Sequence, residues 1–169
     1  MMAISMYQAS VPVLIHMLGN LSAILDKGAA YAAALDIEPS VLVNDRLFPN
    51  MFGLAQQVQI ATDVAKGCAA RLTGHTPPSY EDTETSFGEL KERIDKTVAY
   101  LKTFTADQID GSENRTVELK LGGTVMSFEG LTYLLHFVLP NLYFHTTTAY
   151  DILRHNGVDV GKADYLGQI

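Results

Sequence analysis

Leu134 to Gly157 reads LLHFVLPNLYFHTTTAYDILRHNG, and its periodicity decides the fold class. Leu134, Phe137, Thr148 and Ile152 fall on one helical stripe, and the spacing predicts a long helix from just after Ser127 to Asn156, closed at Gly157. Arg154 and His155 in its last turn suit the negative end of the helix dipole. Pro140 lies inside this helix and has no N–H to donate, so a kink between His136 and Pro140 is expected.

Working outward, three more helices precede it. Val13, Met17, Leu18, Leu21, Ile24 and Leu25 recur at spacings of three and four, which predicts a helix from about Ser5 to Lys27 with Gly28 as its stop. The alanine-rich run 29–34 offers an extension. A second helix is expected from an Asn50 cap to Thr73, before Gly74, with Leu54, Val58, Ala61, Ala65, Ala69 and Leu72 buried. A third starts at Ser86, where Ser86 and Glu89 match the pattern in which each side chain satisfies a free backbone N–H of the other. Its charged residues, from Glu89 through Arg93 to Lys96, read as a solvated face. Residues 115–127 switch to a period of two around Gly122-Gly123, which reads as one half-buried hairpin. The expectation is an all-α bundle of four long helices, with a small β-hairpin before the last, as one domain over 1–169.

Charge is unevenly spread. The 169 residues hold 19 Asp+Glu against 12 Lys+Arg, a net charge of −7. Residues 81–120 carry 16 of these charges, whereas Met1 to Leu25 and Leu47 to Thr62 carry none and Leu121 to Tyr150 only Glu129. The acidic balance argues against a nucleic-acid partner, which would require a basic stripe. No Lys or Arg precedes Lys27, so the positive start of a signal peptide is missing. The run Val11 to Leu18 is broken by Pro12 and His16, and no apolar stretch reads as long enough for a membrane span. Together with the lone Cys68, this points to a soluble cytoplasmic protein without disulfides.

Bundles build sites from inward polar residues, and here these must come from the charge-poor helices. Asn141 and His145 are four apart, hence on one helical face. Such a pair is either a satisfied core contact or a catalytic or ligand-holding group, with histidine suited to proton transfer near neutral pH. Tyr143 is grouped with them as a ligand-binding candidate. Gln57, among the glutamines at 56, 57 and 59, is a second. His16 is a third; it either lines the site or bonds a backbone carbonyl. His136 reads as structural, His75 as exposed in a turn, and Cys68 as a buried, inert thiol.

Beyond the helical stretch quoted above, the blocks Leu47 to Phe52, Gln57 to Ala61, Arg71 to Gly74 and Gly161 to Gly167 also resemble a bacterial family of unknown function within the DinB/YfiT-like superfamily, over nearly the whole chain. The resemblance implies an up-down-down-up four-helix bundle that often dimerises. It also implies a divalent metal held by three histidines, one from the second helix and two as His-x-x-x-His on the fourth, which activates a thiol or water. Here His145 matches the second of the fourth-helix histidines. Asn141 stands in place of the first, and Gln57 or a neighbour near the second-helix position. The implied zinc or nickel would then be held by an incomplete triad, at low occupancy. Two functional classes stay open: an enzyme-like pocket around His145, and a non-catalytic homodimeric module that binds a small molecule or serves assembly.

Overall fold

A computed structural model describes residues 4–168. The chain opens with α1 (Met6–Ala9), whose Ser5 cap accepts from Gln8 N–H while Gln8 reaches back to Ser5 N–H. It then breaks at Ser10 and restarts as α2 (Val11–Ala34). The single expected helix is therefore two. Pro12 has no hydrogen to give to a preceding turn, and it sits in the first turn of α2, where none is needed. Gly28 does not stop the helix, as the sequence reading expected. A Cβ there would lie 3.0 Å from the Phe87 ring and 3.1 Å from Leu153, so glycine lets three helices cross closely.

α3 (Pro39–Asn44) lies in the connection to α4 (Leu54–Leu72). The cap of α4 is Gly53, not Asn50, and the Gln56 side chain accepts from its N–H. α5 (Phe87–Leu101) starts as expected, with Ser86 Oγ and Glu89 Oε2 serving each other's backbone N–H groups. α6 (Ala106–Ile109) precedes the antiparallel hairpin of β1 (Thr116–Leu121) and β2 (Thr124–Glu129), paired from Thr116↔Glu129 to Leu121↔Thr124. Its turn is Gly122-Gly123, both at positive φ. Val117 and Leu119 turn into the core.

The final helical stretch comes in three parts: α7 (Gly130–Thr132), a widened π turn over Tyr133–Val138, and α8 (Leu139–His155). The expected disturbance is at the expected place, just before Pro140. An ordinary helix would need a bond from residue 140 to His136 C=O; the wide turn accommodates its loss. α9 (Lys162–Leu166) folds the tail back onto α2.

The protein is mainly helical. α4 packs on both α5 and α8, and α2 closes against α5 and α8 from the other side. Leu18, Leu25, Val58, Ala65, Leu90, Leu142 and Ile152 are fully buried between them. Small residues on α4, including Ala61, Ala65, Cys68 and Ala69, allow α8 to come close. Contrary to the sequence reading, the helical run Met6–Ala34 is long and apolar enough, by length and composition, to cross a membrane. In this fold its Val11, Leu14, Leu18, Leu21 and Leu25 line the shared core.

Candidate functional site

The closest meeting of predicted residues is between α4 and α8. His145 Nδ1 lies 2.7 Å from Gln57 Oε1 in a buried contact, and Gln57 Nε2 donates to Phe52 C=O at 3.0 Å. The second bond fixes the first. Because Gln57 Nε2 is the donor to Phe52, Oε1 can only accept, so His145 carries its hydrogen on Nδ1 and a lone pair on Nε2. The Phe144 ring stands edge-on to the imidazole at 5.2 Å. Burial depresses the His145 pKa below 6.5, so the ring is neutral at pH 7. The result is a polar relay from α8 through α4 to the loop before α4. The neighbouring hydroxyls do not join it, since Thr146 and Thr148 donate back to Leu142 C=O and Phe144 C=O.

Asn141 is not part of this relay. Four residues along a helix is about 40° past a full turn and about 6 Å further along the axis. Asn141 instead lines a cavity of about 390 Å³ between α4, α8 and the hairpin, shared with Ile60, Arg71, Tyr133 and Phe137. His16 and Tyr143 belong to a third place, an apolar cleft of about 620 Å³ formed with Pro12, Met17, Tyr165 and Leu166. There His16 Nε2 bonds Leu166 C=O at 2.7 Å, and Asn20 donates to Tyr165 C=O, so both side chains tie α9 down. Of the sequence-derived candidates, the structure joins His145 and Gln57 by a direct contact and sets His16 and Tyr143 in one separate cleft.

The remaining histidines are peripheral. His136 and His155 are exposed, and exposed His75 shares a hydrogen with Thr73 Oγ1 at 2.9 Å. Cys68 is fully buried, and burial pushes its thiol up to about 12 despite the nearby Arg71, which makes it a poor nucleophile.

Two arginines were not read as functional from the sequence. Arg93 was expected on a solvated face but is 4% exposed. It donates to Asp63 and Glu84, lies 3.0 Å from Asp82, and reaches Thr62 Oγ1 and Glu81 C=O. Gln59 donates to the same Glu84 at 2.9 Å. Burial raises the Glu84 pKa, but the hydrogen bonds from Gln59 and Arg93 more than reverse this and hold it below its ordinary value. The signal was present: Leu90, Arg93, Ile94 and Thr97 follow one inward stripe. Arg71 is half-buried beside the buried stripe of α4, and nothing in the sequence reading singled it out.

A zinc-type site needs three or more His, Cys or carboxylate donors. Among the described residues no group of three His, Cys, Asp or Glu could hold a metal ion. His145 keeps an Nε2 lone pair, but with Gln57 bonded to its Nδ1 side and Asn141 on another cavity it is a single donor, too few for the implied zinc or nickel.

Known proteins place the chain. A family model described as "Domain of unknown function (DUF1993)" matches residues 6–166. No curated protein matches the chain. A crystal structure of a DinB family member protein from Shewanella denitrificans, at 1.83 Å resolution, is 42% identical, covers 96% of this chain and 92% of its own, and superposes with a TM-score of 0.87. Both the matched span and the likeness in fold run over nearly the whole chain, which therefore belongs to the DUF1993 family, among the DinB proteins.

Proposed function

We propose that this protein is a single-domain, up-down-down-up four-helix DinB-type bundle that binds a small molecule without catalysing its reaction. In this reading the position of the DinB metal centre has become a structural joint. It acts in the cytoplasm as a homodimer, without nucleic-acid or membrane partners. The observation that carries it is the closed relay from His145 Nδ1 through Gln57 to Phe52 C=O, which leaves the histidine neutral and held. A joint of this kind stabilises the fold, whereas catalytic sites are kept at a cost in stability.

A double-mutant cycle tests this. His145→Ala and Gln57→Ala should each destabilise the protein in urea unfolding, with a coupling of about 1 kcal/mol between them. Additive effects, or a gain in stability from either substitution, would overturn the structural reading.

One observation favours the enzyme reading as an alternative. His145 Nε2 keeps a lone pair, with its Nδ1 hydrogen held by a side-chain oxygen, the arrangement of an oriented general base. With Asn141 and Tyr143 on other surfaces, nothing else on the described wall would hold a substrate against it.

A further inference from the structure

Arg71 stands near the end of α4, and its guanidinium folds back over Gly67, one turn earlier. A Cβ on Gly67 would fall 2.1 Å from Arg71 Nη1, so the absence of a side chain there makes the cradle in which the guanidinium lies. Nη1 donates to Tyr133 Oη at 3.2 Å. Among the described residues, no carboxylate stands within ion-pair distance of Arg71, in contrast to buried Arg93 with its three. A half-buried guanidinium held in place without an anion is arranged to receive one.

The cavity in front of it has a small-ligand volume, about 390 Å³. Its walls are largely apolar, and Tyr133 and Phe137 stack within it, centroids 5.8 Å apart and planes 18° from parallel. Two further polar groups lie on the wall with capacity to spare. The Asn141 side chain makes no hydrogen bond among the described residues, and Tyr133, 1% exposed, accepts from Arg71 while retaining its own hydrogen. The charges on the wall are Arg71, Lys120 and Asp63, the last already engaged by Lys66 and Arg93. With Asp63 so engaged, Arg71 and Lys120 are the cations that face the cavity.

We propose that this cavity binds a small monocarboxylate with a flat apolar body. The Arg71 fork takes the carboxylate, Asn141 and the Tyr133 hydroxyl complete its hydrogen bonds, and the aromatic and aliphatic wall holds the body. A phosphate ion would leave the apolar wall uncovered. The proposal deepens the small-molecule-binding reading and rests on it, but not on the His145 joint.

Benzoate, titrated into the isotope-labelled full chain and followed by NMR, is the probe. Saturable shifts are expected for the C-terminal half of α4 and the start of α8, with none from benzamide or inorganic phosphate at equal concentration. Arg71→Gln should weaken benzoate binding about ten-fold or more, as befits loss of a charge-assisted contact. Gly67→Ala should do the same by displacing the guanidinium from its cradle, and it keeps the test open if Arg71→Gln does not fold, because the nearest atoms to the added methyl are the flexible end of Arg71. His145→Ala should bind like the parent. Absence of saturable shifts, equal binding of benzamide, or undiminished binding by both the Arg71 and Gly67 variants would overturn the proposal. Failure here alongside intact His145–Gln57 coupling removes this site alone; benzoate binding without that coupling removes the joint alone.

Discussion

The Nδ1 hydrogen of His145 is committed to Gln57, and burial holds the imidazole pKa below 6.5. This has a consequence for stability. Between the depressed folded pKa and 6.5 the unfolded chain binds more protons than the native one, so stability rises with pH across that window. The contribution is fully present above 6.5 and is lost as pH falls through the folded pKa. Urea unfolding between pH 7 and 5 should show wild-type stability declining with acid, and a shallower decline for His145→Ala. Equal slopes would contradict the assignment of a buried neutral histidine. The sequence marked His145 and Gln57 as polar residues on charge-poor helices, which is a local property. It could not mark their pairing, across 88 positions, because that depends on how α4 and α8 are set against each other.

Helix ends and breaks were legible wherever one residue's chemistry decides them. The Ser86–Glu89 cap, the Gly122-Gly123 turn and the disturbance before Pro140 all follow from local donors, acceptors or backbone freedom. The errors have tertiary causes. Gly28 reads as a stop in a list of residues but is a crossing point once Phe87 and Leu153 arrive. Arg93 reads as one of several surface charges until the segment around Asp82 and Glu84 folds back over α5 and closes on it. The two kinds of charge on α5 should behave differently. Arg93→Ala should destabilise by about 2–4 kcal/mol, since it leaves three carboxylates facing one another with their shared cation gone. Lys91→Ala, which loses only the exposed pair with Asp26, should stay within about 0.5 kcal/mol. Thermal unfolding of both variants checks this, and equal effects would show that Arg93 is not the clasp between α4, α5 and the preceding loop.

Across the molecule, the uneven charge maps onto the packing. The segment rich in charge supplies α5 and the Arg93 clasp, and the charge-poor segments supply α2, the start of α4 and most of α8. The helical class, the hairpin and the family were legible because they rest on patterns repeated along the whole chain. The site was less so. One pocket was expected, whereas the candidates are distributed over the His145–Gln57 joint, the Arg71 cavity with Asn141, and the His16–Tyr143 cleft. Small-molecule binding in a DinB-type bundle without a metal centre is the claim that joins these observations. Elemental analysis of protein produced and dialysed with excess zinc or nickel tests it most directly. The account predicts metal well below one ion per chain, with the same residual amount in His145→Ala; one ion per chain, lost on that substitution, would contradict it.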